Sequence, residues 1–273
     1  MRIGAHVSVA GSLEGAALHA EKIGASTIQI FSSSPRQWRG SRLDPAEVKR
    51  FALARARLDV RPLVVHANYL VNMASADDTI WRKSAAAFRE ELGRCVQLGA
   101  DYLVVHPGSA KGQPVEEAMA RLAAGLAVAG HGVRSATLRV LLEITAGQGQ
   151  ALGSRWEELA ALREMSQGQV EFEVAYCLDT AHCFAAGIDF FEAAEGLGIE
   201  RVPVIHMNDS KAPWRSRVDR HEFIGRGHIG EEPFGRILRD RRFHDKAFIL
   251  ETPFEEEGDD AAQVEILRRL AAG

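Results

Sequence analysis

The sequence predicts an α/β protein, a (β/α)8 TIM barrel forming one domain over residues 1–273, and three observations carry that expectation. The chain has 273 residues, a length that barrels of alternating strand and helix routinely reach as one domain. Short β-rich apolar runs alternate with helical patterns, eight times over. No Pro/Gly/Ser-rich linker breaks the series, and its units are too uneven and dissimilar for a short-repeat solenoid.

Taken in order, the predicted strands are RIGAHVS, TIQIFSS, PLVVHANY, YLVVHPGS, RVLLEITA, VAYCLDTAH, VPVIHMND and AFILETP, each followed by turn residues. Between them lie segments such as Asp77 to Leu98 and Glu116 to Ala129, with apolar residues at three and four spacing and enough length to return antiparallel to the strand. Continuous buried parallel strands with covering helices close most simply as a barrel. Composition agrees: 46% hydrophobic and 26% charged residues suit a globular chain with a large core and argue against disorder. The start MRIGAHVSVAGSLEG lacks a basic segment followed by an apolar run, and no window approaches the roughly 18 apolar residues of a membrane span. A cytoplasmic protein without membrane contact is expected. Cys95, Cys177 and Cys183 follow no paired spacing, which points to core cysteines in a reducing compartment. A formal charge of −4 argues against a nonspecific nucleic-acid coat but leaves room for a local basic surface.

The chemistry falls at the strand ends. These read His6, His66, His106, Glu143, Asp179 with His182, His206 and Glu251, so seven of the eight strands finish on an ionisable or ligand-type residue. The C-terminal ends of barrel strands converge on one mouth, where active sites are built. Any one of these histidines alone would read as an ordinary hydrogen-bonded residue. As a set, leaving His6 aside and adding Asp219 and His221 from the charged loop SRVDRHEFIGRGHIG, five histidines and four carboxylates would stay unpaired and repel unless cations held them together. Imidazole and carboxylate donors without clustered cysteine suit zinc, manganese or iron better than magnesium, with zinc the first choice. Nine ligands exceed the needs of one ion, so two or three are expected. Glu143 and Glu251 are the natural bridging candidates, because a carboxylate can span metals about 3.5–4 Å apart, a spacing that favours phosphoryl chemistry.

The chain resembles the endonuclease IV family of zinc-dependent apurinic/apyrimidinic endonucleases. The resemblance runs through IGAHVS, PRQW, HANYLVNMAS, HPGS, EITAGQG, CLDTAHCFAAG, HMNDSK, SRVDRHEFIGRGHIG and LETP, nearly the whole chain in family order. It implies a first zinc on His66, His106 and Glu143. Glu143 would bridge to a second ion completed by Asp179, His206 and Glu251, and a third would sit on His182, Asp219 and His221, with manganese or iron acceptable at one site. Glu143 and Glu251 are the implied catalytic residues, and His6 supports the ligands from behind. The implied reaction is cleavage of the phosphodiester 5′ to an abasic nucleotide in double-stranded DNA, giving a 3′-hydroxyl and a 5′-deoxyribose phosphate, with a metal-bridging hydroxide as nucleophile. A monomer with no obligatory protein partner is expected.

DNA engagement is assigned to loops at the same mouth. PRQWRGSR offers Arg36, Arg39 and Arg42 with Trp38, and HANYL offers Tyr69 and Leu70; Arg36, Tyr69 and Leu70 resemble family residues that enter the duplex at the lesion. Trp38 also reads as a barrel cap. Lys211, Arg215, Arg217 and Arg220 form a second basic run, suited to phosphates, with Lys211, Arg217 and Arg220 taken as contacts. Ile144, Trp214-Arg215 and His228 depart from the family pattern, and the link from His182 to His206 looks about one helix shorter. Gly4, Gly108, Gly147 and Gly149 read as turn residues near the mouth. The competing reading is a metal-dependent sugar isomerase or epimerase, which also sets Glu, Asp and His at barrel strand ends. The Asp219/His221 pair and the Arg36 and Tyr69 loops favour the nuclease.

Overall fold

The computed structural model describes residues Met1–Gly273. Eight parallel strands close into a barrel: β1 (Arg2–His6), β2 (Thr27–Phe31), β3 (Leu63–His66), β4 (Tyr102–Val105), β5 (Arg139–Glu143), β6 (Glu173–Asp179), β7 (Val204–His206) and β10 (Ala247–Leu250). Each pairs with its neighbours in sequence, and β10 pairs with β1 to complete the ring. The eight predicted strands are these eight. A two-stranded antiparallel ribbon, β8 (Asp209–Ser210) with β9 (His221–Glu222), stands after β7 outside the barrel.

The helices are α1 (Leu13–Lys22), α2 (Pro45–Leu58), α3 (Asp78–Leu98), α4 (Val115–Gly130), α5 (Trp156–Gln167), α6 (Thr180–Ala186), α7 (Phe190–Leu197), α8 (Glu231–Arg239) and α9 (Asp259–Ala272). Asp44, Asp77 and Asp189 cap α2, α3 and α7 by accepting first-turn amide hydrogens, and Gly99 in the left-handed region closes α3. The link between His182 and His206 contains α7, whose Phe190, Ala193, Ala194 and Leu197 are buried, so a packed helix covers the barrel there. No helix is long and apolar enough to cross a membrane.

Two apolar layers follow from the period-two alternation of the strands. Ile3, Ile28, Leu63, Val65, Leu103, Val140, Leu142, Leu178, Ile205 and Phe248 face outward into one large core shared with the helices. Val64, Val104, Leu141, Ala175, Cys177, Val204, Ala247 and Ile249 form a separate plug inside the barrel. The inward phase, continued to the strand ends, lands on His66, His106, Glu143, Asp179, His206 and Glu251. The same alternation that fills the barrel therefore aims every strand-end ligand at its axis. All three cysteines are free and buried, as expected.

Gly4 departs from its predicted turn role. It lies within β1, opposite Thr27, and a Cβ there would fall 1.8 Å from the Thr27 carbonyl oxygen. Its purpose is close approach of two strands. Gly108, Gly147 and Gly149 do take positive φ values in mouth loops.

Candidate metal centre

Glu143 is fully buried at the end of β5 and stands at the centre of the mouth. Its Oε2 lies 3.1 Å from His66 Nε2 and 2.9 Å from His106 Nε2. Its Oε1 lies 3.0 Å from His206 Nδ1 and 3.3 Å from His182 Nδ1. One carboxylate thus joins two sets of imidazoles through different oxygens. Three clusters have the geometry to hold metal ions: His66, His106 and Glu143; Glu143, Asp179, His206 and Glu251; and Asp179, His182 and His221. Asp219 joins the third, with Oδ1 at 3.3 Å from His182 Nε2 and 3.6 Å from His221 Nε2.

The two carboxylates expected to bridge are placed differently. Glu143 and Asp179 each belong to two clusters, whereas Glu251 belongs to one. The reason is that Glu251 Oε1 accepts a hydrogen bond from Gln29 Nε2 at 2.5 Å, leaving Oε2 to face His206 at 3.2 Å.

The imidazoles are oriented for neutral coordination. His66 Nδ1 donates to the Ala67 carbonyl at 2.8 Å, His182 Nδ1 to the Ile144 carbonyl at 2.9 Å, His221 Nδ1 to the Glu251 carbonyl at 3.1 Å, and His206 Nε2 to Gln29 Oε1 at 2.8 Å. Each bond fixes a tautomer whose other nitrogen points its lone pair inward, the usual arrangement behind a metal-binding histidine. Two of those inward nitrogens, His182 Nε2 and His221 Nε2, are buried without any hydrogen-bond partner. Unpaired buried acceptors beside Asp179 and Asp219 are costly unless a cation occupies the gap. The donor set fits divalent metal ions.

Electrostatics point the same way. Burial by itself favours the uncharged forms, yet His106 and His206 hold the Glu143 carboxyl well below the usual carboxylate range. Burial likewise opposes the charged form of His182, but the nearby Asp179, Asp219 and Glu143 carboxylates carry it well above its ordinary value. Carboxylates this crowded need positive charge, and protons on the ring nitrogens are the alternative to metal. His6 differs. Burial pushes it down to about 4, and its Nδ1 accepts from Gln29 Nε2 at 3.0 Å while lying 3.8 Å from Glu251 Oε1. It stands outside all three clusters, one layer behind Glu251.

Sequence reading missed three polar residues that orient this centre. Gln29 occupies β2, a strand that carries no ligand, and holds both His206 and Glu251. Its signal was available: a glutamine between Ile28 and Ile30, on the inward phase of its strand. Asn208 Nδ2 donates to Asp179 Oδ2 at 2.6 Å while its Oδ1 accepts from the Glu251 amide at 2.7 Å. Gln148 Oε1 accepts from the Asp219 amide at 2.9 Å. The Ile144 departure does not disturb the contact to His182, because the backbone makes it; the side chain is buried in the outer core. His228 is exposed and donates its amide to the Ser210 carbonyl.

Above the clusters open two adjoining cavities of about 490 and 450 Å3, both lined by His66, Tyr69, His106, His182 and Asp219. Arg36, Tyr69, Lys211, Arg217 and Arg220 are exposed around this mouth. Leu70 is half-buried and Trp38 packs against the core, each lining the second cavity. Lys211 Nζ lies 3.8 Å from Glu222 Oε2.

These features define a class: parallel TIM barrels with a multinuclear His/Asp/Glu metal centre at the C-terminal mouth. A family model described as "Xylose isomerase-like TIM barrel" matches residues 18–271. The chain is 49% identical to a probable endonuclease 4 of Solibacter usitatus, over 99% of this chain and 97% of that protein. It is 42% identical to endonuclease 4 of Thermus thermophilus, over 98% and 97% of the two chains. A crystal structure of endonuclease IV from Thermus thermophilus superposes with a TM-score of 0.88 at 38% identity, covering 100% of this chain and 99% of that one. A D-psicose 3-epimerase from Clostridium cellulolyticum shares the fold, with a TM-score of 0.70, but only 14% of its residues. The chain belongs to the endonuclease IV family.

Proposed function

We propose that this chain hydrolyses the phosphodiester on the 5′ side of abasic sites in duplex DNA, leaving a 3′-hydroxyl and a 5′-deoxyribose phosphate, with three divalent metal ions, zinc before manganese or iron. His66, His106 and Glu143 hold the first ion, and Glu143, Asp179, His206 and Glu251 the second. His182, Asp219 and His221 hold the third, with Asp179 reaching it from the second. The observation that carries this reading is the pair of buried, unpartnered nitrogens on His182 and His221 facing two carboxylates, beside two further clusters that share Glu143. A third cluster is more than a barrel epimerase of one or two metals calls for.

Bound divalent ions supply Lewis acidity toward the phosphate and a water-derived nucleophile at neutral pH. The protein's own residues do the rest. Glu143 and Glu251 are the catalytic carboxylates: Glu143 sets the spacing of two clusters through its two oxygens, and Glu251 lines the cavity where the scissile phosphate must sit. Arg36 and Tyr69 stand exposed at the rim, suited to enter the duplex at the lesion, with Leu70 forming the wall behind them. Lys211, Arg217 and Arg220 offer positive charge to flanking phosphates. His6 supports Glu251 through Gln29. All nine ligand positions come from one chain, which suits a monomer, and three free buried cysteines suit the cytoplasm.

The test is a nicking assay on a duplex with one abasic site, with and without chelator, alongside metal analysis. We expect about three ions per chain and cleavage 5′ to the site without added magnesium, abolished by chelation. One ion per chain, turnover of a ketose and intact abasic DNA would overturn the reading.

A further inference from the structure

Asp209 is fully buried just past β7, and the proposed chemistry does not use it. Its carboxylate accepts hydrogen bonds from five backbone amides: Ser210 at 2.8 Å, Gly225 at 2.9 Å, Gly227 at 3.1 Å, Ile229 at 2.9 Å and Gly230 at 3.3 Å. Four of the five donors lie in the glycine-rich run that follows the third-cluster ligands. Such a ring of amides is the kind of nest that elsewhere binds a free anion; here the anion is the chain's own side chain.

The glycines are there for this wrap. A Cβ on Gly227 would sit 2.4 Å from Asp209 Oδ1 and 2.5 Å from the Ser210 carbonyl oxygen. Gly225 and Gly230 hold φ values of 81° and 75°, a region that side chains rarely adopt. The chain leaves Asp209, runs out through Lys211–Arg217, passes Asp219 and His221, and returns to the same carboxylate. Ribbon pairing of Asp209 with Glu222 and Ser210 with His221, and the Lys211 amide on the Arg220 carbonyl, tie the two arms together.

We propose that Asp209 is the positioning residue of the third metal cluster: its carboxylate closes residues 209–230 into a fixed loop that holds Asp219 and His221 against His182. It never touches the ions or the substrate. Both oxygens are needed, because Oδ1 serves Ser210 and Ile229 while Oδ2 serves Gly225, Gly227 and Gly230. Asparagine has the same shape but would turn an NH2 group toward amides that need an acceptor. Shape alone and acceptor chemistry are therefore separable.

The test compares Asp209→Asn with Gly227→Ala, which attacks the same contact from the loop side. Amide hydrogen exchange is measured first on the metal-free proteins. In both variants the amides of Gly225, Gly227, Ile229 and Gly230 should exchange at least tenfold faster, while barrel-strand amides keep native protection. After reloading, bound metal should fall from about three ions to about two, and kcat should drop about 10- to 100-fold with KM for abasic duplex changing much less. Native loop protection in Asp209→Asn would overturn the proposal, as would loss of protection throughout the barrel in both variants. The metal arm rests on the function proposed above: a wild-type chain that loads fewer than three ions sinks that reading, whereas the exchange arm tests the clamp without metal.

Discussion

Gln29 shows how much of a metal centre can rest on an uncharged residue. It donates to Glu251 and His6 and accepts from His206, so it fixes a carboxylate oxygen and a histidine tautomer together. Replacing Gln29 by Leu keeps the volume inside the barrel but frees His206 to rotate and leaves its Nε2–H without an acceptor. Outer partners of this kind are typically worth 10- to 100-fold in metal affinity, so the second ion should be lost to a competing chelator at about 10- to 100-fold lower chelator concentration. Retention equal to wild type would show that His206 is held by packing alone. The candidate ligands on the strands were legible because they are ionisable types at the ends of apolar runs. Gln29 showed its inward phase, but its partners, like those of Asn208 and Asp209, were hidden, since a polar residue in or beside a strand announces its partner only when the barrel closes and brings residues such as Gln29 and His206, 177 positions apart, into contact.

The loops after β2 and β3 behave as one structural element. The Tyr69 amide donates to the Pro35 carbonyl at 3.2 Å, and Asn68 Nδ2 reaches the Gln37 carbonyl at 3.5 Å. Beneath them Ser32 donates to the buried Glu91 on α3, and Arg94 binds Ser32 through its hydroxyl and carbonyl and Ser41 through its carbonyl. The exposed tips and their buried anchor should therefore respond differently to mutation. Arg94→Ala removes the charged donor that binds the Ser32 hydroxyl and the Ser32 and Ser41 carbonyls and should cost about 1–3 kcal/mol, read as a fall in thermal stability. Tyr69→Ala should change stability by no more than about 0.5 kcal/mol yet slow nicking of abasic duplex severely. If Tyr69→Ala cuts normally, the loop tip does not enter the DNA. The strands were legible, although each predicted run reaches two to four residues past the observed end, because period-two alternation and apolar runs are local signals, as the outward Leu63 and Val65 against inward Val64 and His66 show. The β8–β9 ribbon was not, because its four residues have no hydrophobic phase and exist only through pairing across the 211–220 loop.

At the scale of the whole molecule, an acidic chain has to attract a polyanion. With the three proposed divalent ions bound, +6 would bring the formal charge of −4 on the chain to +2, and Glu143, Asp179, Asp219 and Glu251 would lie under them. The exposed Arg36, Lys211, Arg217 and Arg220 would then meet the proposed DNA substrate around a mouth that is no longer negative. Each phosphate neutralised contributes about 0.9 to the slope of log affinity against log salt. Three or four contacts therefore predict a slope of roughly −2.7 to −3.6, a loss of roughly 40- to 150-fold between about 50 and about 200 mM salt. Arg217→Ala should flatten that slope by about 0.9, and Lys211→Ala by less, because its ammonium already faces Glu222. Stripping the metals should weaken binding beyond either substitution, since Glu143, Asp179, Asp219 and Glu251 would then turn uncompensated charge toward the phosphates. The measurement is a salt titration of catalytically arrested binding, with fully chelated protein as the metal-free arm. A slope unchanged by Arg217→Ala, together with equal affinity of the metal-free and loaded proteins, would mean that DNA is drawn to a face other than the mouth.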